Sequence, residues 1–179
     1  FLPRRHGFDE SLRIDQGSLF LPEDDENVIN AKLDFDPIDK VLWGNLPYAV
    51  NFNEGPRMNP DGHLTDYLTD EAVKVIEKNK NRPFFLYLAY WAVHSPLQAK
   101  KEDYEKLSFI ENHEERVLAS MVMTVDRGVG KIRDILKKNK IDDNTIIIFT
   151  SDNGAPGYIG LPDLNKPYRG WKLTHFEGG

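Results

Sequence analysis

Asp152 and Asn153 stand just beyond the apolar run Ile146-Ile147-Ile148-Phe149, after Thr150-Ser151 and before Gly154. The run reads as a buried strand that passes into an acid-amide-glycine turn. One carboxylate and one amide oxygen are thereby placed at a strand end, where open α/β sheets put their ligand sites. Both are hard oxygen donors, the type that calcium and magnesium select. By itself Asp-Asn-Gly is most often a plain turn, because Asn and Gly tolerate positive φ. Its position at a strand end favours a ligand site, and because such cations take about six or more oxygens, further ligands must come from elsewhere.

Two more residues could carry chemistry. His94 follows the run Phe84-Phe85-Leu86-Tyr87-Leu88-Ala89-Tyr90 through Trp91-Ala92-Val93. A lone His in such a place is more often packed and hydrogen-bonded than catalytic, yet an imidazole exchanges protons near neutrality. Lys172 sits in Tyr168-Arg169-Gly170-Trp171-Lys172, among glycine and aromatic residues. A Lys in that company can hold an anion as a point charge, although most lysines are solvated. Arg169 reads as structural, with Glu177 as a candidate partner. His6, His63, His113 and His175 show no metal-like spacing, and Asp126 reads as a locally paired helix residue. There is no phosphate-cradling GxxxxGK[ST] loop, no GxGxxG after a strand and no GxSxG elbow.

The elements that must position these residues lie mostly after Gly62. Thr69 is the expected N-cap of a helix with Ala72, Val73 and Ile76 on its apolar face, ending at Asn79 to Asn81 before Pro83. Phe84 to Tyr90 reads as a strand buried on both faces, and Pro96 is expected to end regular structure. Val117, Met121, Val125, Val129, Ile132 and Leu136 step by four, four, four, three and four, a helical stripe. Gly128 and Gly130 interrupt it, which close packing would explain. Ile141 to Asn144 makes a turn, and Thr145 to Phe149 the second strand. Strand, helix and strand form a βαβ unit with a right-handed crossover, so His94 and Asp152 reach the same carboxyl edge. Residues 1–62, with six prolines and the acidic cluster Glu23-Asp24-Asp25-Glu26, read as a largely irregular segment lying across a larger sheet.

Composition narrows the class. The 179 residues, 40% hydrophobic and 29% charged, suffice for one domain with a real core. The net charge of −6, with no basic stripe, argues against a nucleic-acid partner. The absence of cysteine removes disulfides, thiolate metal sites and a cysteine nucleophile from this stretch. No segment reaches the ~20 apolar residues that span a bilayer, and no signal peptide is visible.

The ordered set Pro83-Phe84-Phe85-Leu86-Tyr87-Leu88, Val93-His94-Ser95-Pro96-Leu97-Gln98, Asp126-x-x-Val129-Gly130, Asp143-Asn144-Thr145, Thr150-Ser151-Asp152-Asn153-Gly154, Arg169-Gly170-Trp171-Lys172 and Glu177-Gly178-Gly179 resembles the type I sulfatases. The arylsulfatase branch related to N-acetylgalactosamine-4-sulfatase is the nearest in look, and Leu2 to Glu10 also resembles a segment of that family. The resemblance implies an α/β, alkaline-phosphatase-like, mainly parallel sheet flanked by helices. It implies hydrolysis of a sulfated small molecule or glycan with a bound divalent cation, usually Ca2+, with Mg2+ as the other candidate. By motif position Asp152 and Asn153 are metal ligands. His94 touches the ester and helps protonate the leaving oxygen, and Lys172 binds the sulfate and stabilises charge on that oxygen.

The family nucleophile is a formylglycine made within a Cys/Ser-x-Pro-x-Arg motif. That motif, the paired aspartates that complete the metal site and a Gly-Lys-Trp-His segment do not occur here. In the family they lie upstream of the equivalent of Leu2, so residues 1–179 read as a partial catalytic domain, inactive alone, with a βαβ core over 63–179. Trp91-Ala92-Val93 departs from common family wording, which bears on substrate choice. The family's members are commonly exported or lysosomal. Two other readings stand beside this one: a phosphate mono- or diester hydrolase of the same superfold, and a non-catalytic binding homologue.

Overall fold

The computed structural model describes residues 2–33, 35–161 and 163–179; Phe1, Asp34 and Pro162 lie outside them. Among the described residues, four helices and five short strands follow one another as β1 (Leu12–Gln16), β2 (Val28–Ala31), α1 (Pro37–Trp43), β3 (Ala49–Phe52), β4 (Arg57–Met58), α2 (Leu64–Asn79), β5 (Leu97–Lys100), α3 (Lys101–Lys106) and α4 (His113–Lys138). Short 3-10 turns occupy Pro3–His6, Asp142–Asn144 and Gly157–Ile159.

Residues 1–62, read from sequence as largely irregular, supply four strands and α1. β3 lies between β1 and β4 in an antiparallel three-stranded sheet, with Arg13 opposite Asn51 and Ile14 opposite Val50. β2 pairs antiparallel with β5, Val28 facing Lys100 and Ala31 facing Leu97. This segment enters the core rather than only crossing it. Phe20, Leu33, Tyr48 and Val50 are buried in one cluster with Leu64 and Leu68 of α2, Leu97 of β5, and Val117 and Met121 of α4.

Two local expectations are corrected. The α2 helix begins at Leu64, with His63 at its N-cap, not at Thr69. Leu64 and Leu68 continue the stripe of Ala72 and Ile76 by steps of four, so burial draws the helix back by more than a turn. Thr69 is therefore interior, where its hydroxyl donates to the Thr65 carbonyl at 2.8 Å and lies 2.8 Å from the Tyr90 hydroxyl. Pro96 does not end regular structure; β5 starts at the next residue. A proline lacks only the N–H donor and is tolerated at a strand's threshold.

The long helix matches its stripe, with Val117, Met121, Val125 and Leu136 buried. Asn112 caps it by accepting from the Glu115 amide at 2.8 Å. Gly128 marks the closest approach: a Cβ there would sit 2.6 Å from Thr69 Oγ1 and 2.7 Å from the Tyr90 hydroxyl. Gly130 meets nothing within 4 Å, so close packing explains only the first. α3 is tied to α4 by Asp103, fully buried, which accepts from Arg127 at 2.8 Å and 2.9 Å and from Thr124 at 3.0 Å. Burial alone would raise this carboxyl; hydrogen bonds from Arg127, Lys106 and Thr124 overcome it and hold the pKa at about 2.

The expected parallel βαβ pair is not hydrogen-bonded. Residues 84–90 and 145–149 run without a strand ladder; β1 to β5 all pair antiparallel, and an isolated bridge between Leu19 and Pro47 is parallel. One face of the first segment behaves as predicted: Phe84 and Leu86 pack on Ile76, Ile135 and Leu136, between α2 and α4. The alternate residues of the first segment face outward, with Phe85 80% exposed, and the second segment, expected to be buried, is exposed on both sides from Ile146 to Phe149. A strand is defined by its neighbour, and neither segment has one among the described residues.

Candidate active site

His94 lies in the turn that follows the 84–90 segment, where its amide donates to the Trp91 carbonyl at 3.0 Å. Its Nδ1 is 2.7 Å from the Ser95 carbonyl oxygen. A carbonyl can only accept, so Nδ1 carries the proton and Nε2 presents its lone pair outward. The Lys172 Nζ is 3.2 Å from that Nε2 and donates to it. Backbone and side chain together fix one ring nitrogen and aim the other at an ammonium group.

Lys172 is in turn tied to the acid-amide turn. Its amide donates to the Ala155 carbonyl at 3.1 Å, and the Gly154 amide donates to Gly179 at 3.2 Å. A Cβ on Gly154 would collide with the Gly178 carbonyl, so this crossing demands glycine. Asn165 closes the arrangement. Its Oδ1 accepts from the Ala155 amide at 2.8 Å, and its Nδ2 donates to the carbonyls of Ala155 at 3.0 Å and Gly170 at 3.2 Å. In the sequence Asn165 is marked only as an amide two residues before Pro167 in an otherwise unpatterned loop.

Asp152 and Asn153 lie on the wall of an open cleft of about 450 Å³, with Thr150, Tyr168 and Glu177 among its other lining residues. Asp152 Oδ2 accepts from Asn153 Nδ2 at 2.6 Å. The two donors are adjacent and exposed or half-exposed, and their oxygens suit a hard cation in kind. They are too few in number, because no group of three His, Cys, Asp or Glu able to hold a metal occurs among the described residues. Of the four predicted site residues, Asp152 and Asn153 thus share one turn. His94 and Lys172 touch, and Ala155 links the two pairs.

The remaining candidates fall outside this arrangement. Arg169 lies over the Phe176 ring at 3.9 Å, a cation–π contact, and no ion pair joins it to Glu177. His113 bonds the Tyr104 hydroxyl and the Asn30 carbonyl, each at 3.0 Å. His63 is buried against Phe20, ring centroids 5.0 Å apart, and burial lowers its pKa to about 4. Asp126 is exposed; its neighbour Arg127 makes the ion pairs.

Residues 5–177 match the sulfatase family model. The chain belongs to the sulfatase family. It is 41% identical over 131 residues to the uncharacterized sulfatase YdeN of Escherichia coli (strain K12), covering 72% of this chain and 23% of that protein. It is 31% identical over 197 residues to human N-acetylgalactosamine-6-sulfatase, covering all of this chain and 32% of that protein. The crystal structure of Ps i-CgsB in complex with k-i-k-neocarrahexaose superposes with a TM-score of 0.78 at 37% identity. That match covers 99% of this chain and 39% of the solved one. The chain therefore spans about a quarter to two fifths of these relatives. Its α/β architecture is that of its sulfatase neighbours, the alkaline-phosphatase-like fold, represented in part. More than half of each of these relatives lies outside the match. No helix among the described residues is long and apolar enough to cross a membrane.

Proposed function

We propose that the protein carrying this chain hydrolyses sulfate esters, with the ester held between His94 and Lys172. The supporting observation is the 3.2 Å contact between Lys172 Nζ and His94 Nε2, on a backbone bonded to the Asp152–Asn153 turn. An ammonium group in this place offers fixed positive charge to a sulfate oxygen and to charge growing on the leaving oxygen. His94 is oriented by Ser95, so Nε2 is the nitrogen that meets substrate. Once protonated there, it can pass that proton to the leaving oxygen as the S–O bond breaks.

Asp152 and Asn153 are assigned as two oxygen ligands of a divalent cation, calcium by family resemblance, with the other ligands outside this chain. When bound, such a cation polarises the sulfate oxygens. The nucleophile is assigned to a formylglycine, for which residues 1–179 contain no motif. A sulfated glycan is the favoured substrate, because one relative is named for N-acetylgalactosamine 6-sulfate and a solved neighbour holds a neocarrahexaose. An exported or lysosomal location is expected with it. Residues 1–179 are taken as part of a single catalytic domain.

The test is sulfate release by the intact protein from sulfated galactosides and 4-nitrophenyl sulfate, compared with phosphate release from the matching phosphate esters. Lys172→Ala and His94→Ala should each lower kcat/KM by about 100-fold or more. Preferential turnover of the phosphate esters, or full activity in both variants, defeats the reading.

A further inference from the structure

We infer that Trp91 is a specificity-determining residue, an aromatic wall against which the first ring of the leaving group lies. The inference rests on the sulfate-ester reading, because that reading places the leaving oxygen at His94. Trp91 is 37% exposed, a large fraction for an indole set beside polar groups. Its ring centroid is 5.6 Å from that of His94, with 46° between the planes. The turn bond from the His94 amide to the Trp91 carbonyl, 3.0 Å, holds the two rings on one short loop. A carbon skeleton joined to an oxygen at His94 Nε2 thus starts from a ring whose centroid lies 5.6 Å from that of the indole.

The surroundings favour a pyranose over a purely polar group. On one side of the site stand an ammonium and an imidazole, 3.2 Å apart, which suit the sulfate. The same loop adds apolar surface, since Trp91 and Val93 are both exposed. A pyranose matches this division, because its C–H face packs on an aromatic plane while its hydroxyls project sideways into water. Ala92 turns inward and packs on the main core, so the loop presents Trp91 and Val93 outward as a matter of backbone direction.

The test uses the intact protein and calorimetric binding of two probes, methyl galactopyranoside 6-sulfate and inorganic sulfate. Trp91→Ala should weaken the sugar sulfate by about tenfold and leave inorganic sulfate within about twofold, since only the former reaches the indole. Trp91→Phe keeps an aromatic face and should bind the sugar sulfate within about threefold of the parent. Unchanged sugar affinity in Trp91→Ala overturns the inference. So does an equal loss for both probes, which would mean that Trp91 acts only by supporting His94. Failure of the parent protein to bind the sugar sulfate also overturns it. Binding that follows the expected pattern without any sulfate release would uphold Trp91 and sink the hydrolase reading, so the two fail separately.

Discussion

Asn165→Ala should loosen the acid-amide turn while leaving the fold standing. The substitution removes three hydrogen bonds, but their partners are not equally bereft. The Ala155 carbonyl still accepts from the Lys172 amide at 3.1 Å, whereas the Ala155 amide loses its 2.8 Å acceptor. The Gly170 carbonyl loses only a long, 3.2 Å donor. Counting one strong bond, two weaker ones and a half-buried amide left without a partner gives a local cost of about 2 kcal/mol. On a site that opens locally, that corresponds to about 30-fold faster amide exchange. Hydrogen exchange of the intact protein, read by mass spectrometry over residues 152–156 and 169–173, measures it directly.

Asn165→Asp sharpens the test. The carboxylate keeps the acceptor for the Ala155 amide but replaces the donor with charge facing two carbonyl oxygens. Exchange near Gly170 should then rise at least as much as in Asn165→Ala, while Ala155 stays protected. Sulfate release should fall in both variants through KM more than through the pH profile, because Lys172 is displaced but not removed. Unaltered exchange at Ala155 in Asn165→Ala would mean that the 2.8 Å bond contributes nothing and that Asn165 does not hold the turn.

Three other outcomes are expected. Gly128→Ala should destabilise the protein by about 1–3 kcal/mol, visible as a lowered Tm, because its Cβ would press on Thr69 and Tyr90 by more than helix propensity returns. His63, 4% exposed, has its pKa lowered to about 4 from 6.5, first by burial and then by Lys100, against the opposing pull of Asp66, the Gln98 backbone and Asp103. The unfolded chain then binds the proton first. The stability His63 confers is complete above pH 6.5 and is lost as pH falls toward 4, by about 3 kcal/mol, a slope that denaturant titrations of His63→Leu should lack. Asp103 acts in a lower window. Its contribution is present above its ordinary pKa of 3.8 and disappears as pH falls through about 2, so Asp103→Asn should cost about 2 kcal/mol at neutral pH and little at pH 2.

Periodicity made α4 legible, because a stripe of six apolar residues leaves few alternatives to one buried helical face. The start of α2 was not legible in the same way. Thr69 followed by Asp70 and Glu71 carries a proper capping signature, and only the burial of Leu64 and Leu68 overrules it. Apolar content likewise marked residues 84–90 and 145–149 as strand material, but pairing depends on neighbours that no local pattern encodes. The candidate site divides along the same line. Strand ends and ordered motifs point to Asp152, Asn153, His94 and Lys172 as candidates. They do not point to Asn165, since its importance lies in which backbone groups it reaches.

That division bears on how the site is built. His94 and the Asp152–Asn153 turn each end an extended apolar segment that has no ladder partner among the described residues, and Asp152 and His94 are both exposed. The sheet therefore does not hold the two together in this chain. What joins them is the loop from Asn165 to Gly179, through Lys172 to His94 and through Asn165 and Gly179 to residues 154–155. An irregular segment can do this only because its backbone groups are paired, with Gly154 allowing the crossing and Asn165 supplying three of the bonds. If the sheet were the sole organiser, loosening the loop would leave the Lys172–His94 contact intact. With the loop as organiser, Asn165→Ala should separate sulfate affinity from fold stability. Inorganic sulfate should bind more weakly to a protein whose Tm moves by no more than about 4 °C, since a local cost of about 2 kcal/mol is diluted in a larger cooperative unit. A variant that loses both in proportion would place the organising role back in the sheet.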